Sequence, residues 1–331
     1  MIISRTPLRI SFFGGGTDLR SFYKEQPGQV ISTGIQHYLY VVLREQVDFV
    51  DFPYRINWSQ VEFCKEIDEI QHPVVREAYR MFGIDFPIEL TTFSDIPAGT
   101  GLGSSSSFSV GLVNALYALR RERATKYGLA TEAAKIEIDI LGRVMGSQDH
   151  FAAAYGNFNV YKFESGDVVN VEPVFSTPSR IESLEKRLLL FYTGVQRNAS
   201  EILKAQDAAS SEQTAALIEM ADFVMPMAEI LSGEGDLSDI GPMLHESWNL
   251  KRSISPGIST ALIDEQYELA LGAGALGGKI LGAGGGGFLM LFVEPDDQRA
   301  VTEALKPMKM IRPRFDIGGT RITYYEPSRS R

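Results

Sequence analysis

Pro97-Ala98-Gly99-Thr100-Gly101-Leu102-Gly103-Ser104-Ser105-Ser106-Ser107 decides the reading of this chain. Glycines at three alternate positions free the backbone to curl with no Cβ in the way, and four hydroxyls follow. Upstream, Ile88-Glu89-Leu90-Thr91-Thr92-Phe93 alternates as a strand does. Downstream, Phe108, Leu112, Val113, Leu116 and Leu119 recur at three- and four-residue steps, the period of a helix. Strand, glycine loop, serines and helix in that order aim successive N–H groups and a helix N-terminus at one place, which suits a phosphate. A serine N-cap alone would need one Ser and one Gly, and this loop has more. No Lys follows the last glycine, so it is not a Walker loop; its glycine spacing also differs from the dinucleotide fingerprint.

At 331 residues and 44% hydrophobic, the chain can bury a large core, and its length predicts two domains. A net charge of −10 argues against nucleic acid or an anionic membrane surface as partner. A phosphorylated ligand would need a local basic site. Cys64 is the one cysteine, so no intrachain disulfide is possible and a reducing compartment fits. Met1–Pro7 has no apolar signal-peptide core, and no apolar run is long enough to span a bilayer, so a cytoplasmic protein is expected.

Pro7-Leu8-Arg9-Ile10-Ser11-Phe12-Phe13-Gly14-Gly15-Gly16-Thr17-Asp18 reads as an apolar strand running into three glycines and a Thr-Asp. Asp18 can accept from ligand hydroxyls or cap the next helix. Arg9, set among apolar residues, needs an acidic partner. Val30–Thr33 and Tyr38–Leu43 read as further strands, and residues 44–75 as irregular. A second helix is expected over about 130–145, with Asp139 and Arg143 spaced for an ion pair on its polar face. Glu137 breaks that pattern by lying along the apolar stripe. An unpaired acid there is costly, so it calls for a core Arg or a metal ion. Asp149, in Gly146-Ser147-Gln148-Asp149-His150, is a candidate for orienting or deprotonating a hydroxyl, or an N-cap of the Ala-rich segment after it. His150 reads as structural. A hairpin is predicted within 157–180, with strands Phe158–Phe163 and Val168–Val174 and its turn at Ser165-Gly166-Asp167, then a buried strand over Leu188–Tyr192, and helices to about 272. Among them, His245, Trp248, Lys251 and Arg252 share helical spacings, which suits an amphipathic packing face or else a site face. Gly277–Phe288 is a second glycine cluster. Its formal G-x-G-x-x-G match lacks the required context, because Phe288–Val293 after it is a strand. A helix over 297–306 and a strand over Arg321–Tyr325 complete an α+β layout.

The three glycine-bearing segments, at the start, near 100 and near 280, resemble those of the GHMP kinases (galactokinase, homoserine, mevalonate and phosphomevalonate kinases) over nearly the whole chain. The resemblance implies a two-domain α+β fold: an N-terminal α/β domain with a left-handed crossover, here residues 1–182, and a ferredoxin-like C-terminal domain, 183–331. It implies ATP and Mg2+ as cofactors, with ATP and substrate meeting between the domains. Pro97, Gly99, Thr100, Gly101, Leu102, Gly103, Ser104, Ser105 and Ser106 then belong to the ATP phosphate loop. Gly284, Gly285 and Gly286 match the third motif, which closes on that loop. Ser105 and Glu137 match the magnesium ligands, Asp149 the catalytic acid beside the acceptor hydroxyl, and Arg9 the basic residue that pairs with it and keeps it ionised. Gly15, Gly16, Thr17 and Asp18, with Asp149, are the implied substrate contacts. Galactokinases carry Gly-Glu-His-x-Asp at the first motif; Gly15 and Gly16 here remove two hydroxyl contacts, which counts against galactose. Within the family, the Pro7–Asp18 string is most similar to the D-glycero-D-manno-heptose 7-phosphate kinases, as are Phe191-Tyr192-Thr193-Gly194 followed by Arg197, and Lys279–Phe288. The implied reaction is phosphorylation of the anomeric C1 hydroxyl to the 1,7-bisphosphate. A distal phosphate would need an Arg or Lys, and Arg20, Lys24, Arg55 and Arg197 are the candidates, with no choice among them in the sequence. The alternatives are a kinase of an unphosphorylated sugar such as fucose, or a non-catalytic ATP- and sugar-binding relative. His150 is a departure from the pattern, Gln being more usual there.

Overall fold

The computed structural model describes residues 1–47, 49–195 and 211–326. Two long strands organise the first sheet: β1 (Ile2–Phe13) and β2 (Gly28–Glu45), antiparallel from Ile2 opposite Leu43 to Phe13 opposite Ile31. A helical turn, α1 (Arg20–Tyr23), lies between them. Thus the two strands expected over 30–43 are one continuous strand.

Residues 44–75, read as irregular, contain a hairpin of β3 (Tyr54–Asn57) and β4 (Val61–Cys64). Four residues per strand are too few for alternation to stand out in sequence. Helix α2 (Pro73–Phe82) follows, then β5 (Ile88–Ser94), which runs parallel to β3 and antiparallel to β2. Next come α3 (Ser104–Leu119), α4 (Lys126–Ala134) and α5 (Gln148–Tyr155), and the hairpin of β6 (Phe158–Glu164) and β7 (Val168–Pro173), in which β6 pairs with β2.

After α6 (Pro178–Glu185) a second, four-stranded antiparallel sheet begins with β8 (Leu188–Tyr192). Helices α7 (Ser211–Asp222), α8 (Val224–Ser232), α9 (Ile240–Ile254) and α10 (Ala261–Gly272) precede β9 (Gly277–Ile280) and β10 (Phe288–Phe292). Then come α11 (Gln298–Ala304) and β11 (Lys309–Ile311). The strand order β11-β8-β10-β9, with helices after β8 and after β10, is the ferredoxin-like arrangement. The chain finally returns to the first sheet, where β12 (Phe315–Asp316) pairs with β2 and β13 (Arg321–Tyr325) with β1.

Helix α3 is buried over most of its circumference, which requires packing on several sides. Small residues let it sit close to β1. A Cβ on Gly111 would lie 2.7 Å from Thr6 Oγ1. Ser4 Oγ donates to Gly111 O at 2.7 Å, and Ser107 Oγ to Pro7 O at 2.8 Å. The glycine loop that precedes α3 is thereby fixed against β1, which carries Arg9.

The helix expected over 130–145 is corrected. It is α only to Ala134, and Lys135–Ile140 form a π-helical segment. The wider turn rotates the residues after it, so spacings of four no longer mark neighbours. Asp139 accordingly pairs with Arg20, and Arg143 with Glu137.

At the start of α2, His72 Nδ1 accepts from Val75 N at 3.4 Å, with its ring edge-on to Trp58. Burial holds its imidazole down at about 4. Between pH 4 and 6.5 the unfolded chain therefore binds more protons than the folded one. This stability is fully present above about 6.5 and is lost as pH falls through 4. Its whole size is about 3 kcal/mol. Denaturant midpoints between pH 4 and 7 should fall steeply on the acid side, and His72→Asn, which can still cap α2, should flatten that fall.

Candidate active site

The glycine loop adopts the geometry its composition requires. Gly99, Gly101 and Gly103 have φ of 76°, 82° and 73°, the left-handed region open to glycine. Gly103 is the N-cap of α3 and makes no side-chain capping bond, and none of the serines serves as a cap. Ser105 and Ser109 turn to Glu137, Ser107 to the backbone of Pro7, and buried Ser106 Oγ has no partner. The first turn of a 16-residue helix is thus left uncapped toward a cleft of about 400 Å³. Such a terminus is a ready anion site.

The second glycine cluster closes on this loop. A Cβ on Gly101 would lie 2.2 Å from Leu281 O, one on Gly282 would lie 2.8 Å from Gly101 Cα, and one on Gly287 would lie 2.4 Å from Thr100 O. Phe288 N also donates to Thr100 O at 3.2 Å. Gly282 and Gly287 therefore make the contact. Gly284 and Gly286, with Gly285 between them, pack on the backbones of Ile258 and Val195 instead. Gly101→Ala should push the two loops apart. We expect roughly 2 kcal/mol or more of lost stability together with weakened nucleotide binding, read by thermal melting and calorimetry.

Arg9 meets Asp149 across the cleft. Its Nε and Nη2 reach Oδ1 and Oδ2, both at 2.6 Å, and Nη1 donates to Gly101 O. The forked pair is almost shielded from solvent, with the two side chains 6% and 17% exposed. This is the acidic partner that Arg9 requires. Asp149 lies in the first turn of α5, whose N-cap is Ser147, so it is not a capping residue.

Asp18 is buried beneath the same cleft. Its Oδ1 accepts from Gly16 N at 3.0 Å and Gln148 Nε2 at 2.9 Å, and its Oδ2 from Gln148 N at 3.3 Å. Burial and the nearby Asp149 raise its carboxyl above the usual range, against the pull of the amide donors. Ser11 Oγ donates to Gln148 Oε1 at 2.8 Å, which ties β1, Gln148 and Asp18 into one network. Thr17 is spent on the main chain: its hydroxyl donates to Gly14 O and Gln29 O and accepts from Gln29 N. It does not line the cleft, whereas Gly15, Gly16 and Asp18 do.

Glu137 is wholly buried and has an answer on both oxygens. Oε1 accepts from Ser105 Oγ at 2.5 Å and from Arg143 Nη1; Oε2 accepts from Ser109 Oγ at 2.7 Å and sits 2.9 Å from His150 Nε2. Burial pushes its carboxyl up, but His150 and the two serines outweigh that and hold it at about 2. The core Arg and the metal were alternatives in sequence, and Arg143 fills the first role here. The donor set also suits magnesium. Ser105 Oγ and Glu137 Oε1 are hard oxygens in contact, and the cation already on them belongs to Arg143, a side chain 35% exposed. Among the described residues no group of three or more acidic, His or Cys side chains could hold a metal alone. Magnesium commonly takes one or two protein oxygens and completes its shell with phosphates and water.

Of the residues offered for a distal phosphate, Arg20 is held by Asp139 and Asp167 and Arg55 by Glu89, and with Lys24 they lie outside the cleft lining. Arg197 lies outside the described residues. Gln148, Lys251 and Lys279 line the cleft; the sequence assigns no role to Gln148 or Lys279 and places Lys251 on a helical packing or site face. Lys251 gave a signal, since it stands on the buried stripe of α9 with Leu244, Ser247, Trp248 and Ile254.

A glycine loop at a helix terminus, with an acid across a cleft between two sheets, defines a small-molecule phosphotransferase. Residues 70–157 match the GHMP kinases N terminal domain and residues 227–309 the GHMP kinases C terminal domain. The chain is 30% identical over 317 residues to D-glycero-alpha-D-manno-heptose 7-phosphate kinase of Campylobacter jejuni, covering 92% of this chain and 93% of that one. A crystal structure described as a D-glycero-D-manno-heptose 1-phosphate kinase from Bacteroides thetaiotaomicron superposes with a TM-score of 0.80 at 25% identity, over 98% of this chain and 99% of that one. A more distant match, 23% identical, covers 87% of this chain but 29% of the bifunctional fucokinase/GDP-fucose pyrophosphorylase of Arabidopsis thaliana. This chain belongs to the GHMP kinase family. It is a sugar kinase that moves a phosphoryl group from ATP, with Mg2+, to a sugar hydroxyl. Among the described residues no helix is long and apolar enough to cross a membrane.

Proposed function

We propose that the chain phosphorylates the anomeric C1 hydroxyl of D-glycero-D-manno-heptose 7-phosphate, giving the 1,7-bisphosphate. The observation that carries this reading is the Arg9–Asp149 fork set beside the glycine loop, with Asp18 buried in the same cleft. The similarity to a heptose 7-phosphate kinase over nearly the full length supports the choice of sugar.

Phosphoryl transfer passes through a loose transition state, so positioning and charge neutralisation carry most of the catalysis. The amides of the 99–106 loop and the N-terminus of α3 hold the phosphates of ATP. Ser105 and Glu137 would hold magnesium, which would supply positive charge against those phosphates. Arg143, which occupies these oxygens here, would have to give them up to the metal. Asp149 aims the acceptor hydroxyl and takes its proton. A carboxylate has about four lone-pair sites, and Arg9 uses two, so the substrate hydroxyl still finds an acceptor. Asp18, fixed by Gln148 and the Gly16 amide, lines the cleft, where it receives sugar hydroxyls. Gly15 and Gly16 give the extra carbons of a heptose room.

A coupled ADP-release assay with heptose 7-phosphate, mannose, fucose and galactose tests the assignment. Release with heptose 7-phosphate, and a product whose new phosphate is on C1, is expected. Release only with fucose or mannose would replace the substrate.

A further inference from the structure

Two buried ammonium groups in the cleft lack an anionic partner. Lys251 Nζ, on α9, donates to Gly282 O at 2.7 Å, and Lys279 Nζ, on β9, donates to Phe12 O at 2.7 Å. The residues are 6% and 3% exposed. Neither is in an ion pair with any described residue, and both line the cleft together with Arg9, Asp149 and Asp18. The two acids nearby are already engaged, Asp149 by both arms of the Arg9 fork and Asp18 by Gln148 and the Gly16 amide. An ammonium has three donors, and each lysine shows one in use. Burial and the neighbouring Arg9 push the Lys251 ammonium down to about 8 against the pull of Asp18 and Asp149, and burial, then Lys251 and Arg9, hold Lys279 well below its ordinary value.

A chain rarely buries two like charges side by side unless something balances them. Carbonyl staples for Gly282 and Phe12 would not need a second cation within reach of the first. Both lysines come from the second sheet unit and line the same cleft as the glycine loop, whose amides are proposed to hold one set of phosphates. Lys251 is anchored on Gly282, which touches Gly101. Lys279 is anchored on the end of β1, just before Gly14–Gly16.

We infer that Lys251 and Lys279 form a second phosphate subsite, which takes a phosphate group that the 99–106 loop does not hold. This rests on the sugar-phosphate kinase reading. Two sources fit the chemistry: the distal phosphate of a phosphorylated sugar, or the γ-phosphoryl group as it leaves the loop.

Calorimetry on the full chain separates them. Lys251→Gln and Lys279→Gln keep a donor for the carbonyl and remove the charge. The titrants are ADP, a non-hydrolysable ATP analogue, heptose 7-phosphate and the unphosphorylated heptose, each with Mg2+. We expect about tenfold or greater loss of affinity for one phosphate-bearing ligand, with ADP binding and melting temperature nearly unchanged. Loss confined to heptose 7-phosphate, with heptose unaffected, assigns the distal phosphate. Loss for the ATP analogue, with ADP unaffected, assigns the γ-phosphoryl group. Unchanged affinity for both overturns the subsite and leaves the lysines as staples. Failure of wild type to bind heptose 7-phosphate rejects the substrate reading alone, since the nucleotide arm and soaked inorganic phosphate still report on the lysines. Should the variants not fold, wild-type crystals soaked in inorganic phosphate decide: an anion within hydrogen-bond reach of both Nζ atoms supports the subsite, and density elsewhere or none rejects it.

Discussion

Asp149→Asn should lower turnover by roughly two to four orders of magnitude while leaving nucleotide affinity close to that of wild type. The side chain keeps its shape, so the cleft is not reshaped. Two things change. An amide cannot take the proton of the acceptor hydroxyl, and its NH2 group faces a guanidinium that donates to both positions. Arg9 then loses half of its fork and the aim of the acceptor goes with it. Steady-state kinetics with saturating ATP measure the loss, and calorimetry with a non-hydrolysable analogue measures the affinity. Turnover within a factor of a few of wild type would remove Asp149 from the chemistry.

Glu137→Gln should have an effect of comparable size through a different parameter. Its carboxylate is the one charge that joins Ser105 and Ser109 of α3, Arg143 and His150. An amide cannot accept from all four, and the magnesium ligand loses its charge. We expect turnover down by about two orders of magnitude or more, with the Mg2+ concentration needed for half-maximal rate raised. The variant should also melt earlier, because Arg143 and His150 are left beside a neutral side chain. A normal Mg2+ dependence with the lowered melting temperature alone would mean that Glu137 only holds the core together.

The central loop was legible in the sequence because its glycines answer a backbone demand that only glycine meets at low cost, and all three take positive φ. Arg9 and Glu137 were legible as anomalies, being charges on apolar faces that needed partners, and the structure supplies Asp149 for the first and Arg143 with His150 for the second. Lys251 is the same kind of anomaly on α9, but among His245, Trp248 and Arg252 it passed for an amphipathic face. Arg143 was misplaced because α-helical spacing cannot anticipate the π-helical segment at Lys135–Ile140. Gln148 gave no signal of its own: its role depends on Ser11 and Asp18, 137 and 130 residues away in sequence. The return of the last strands to the first sheet is likewise a matter of pairing, which periodicity does not encode.

The measurement closest to the central claim is a crystal structure with a non-hydrolysable ATP analogue and Mg2+. The account predicts the β- and γ-phosphates on the amides of residues 99–106, the metal between Ser105 and Glu137 with Arg143 displaced, and the terminal phosphorus facing the Asp149 carboxylate. A triphosphate bound elsewhere in the cleft, with its terminal phosphorus turned away from Asp149 and Arg143 still on Glu137, would contradict it.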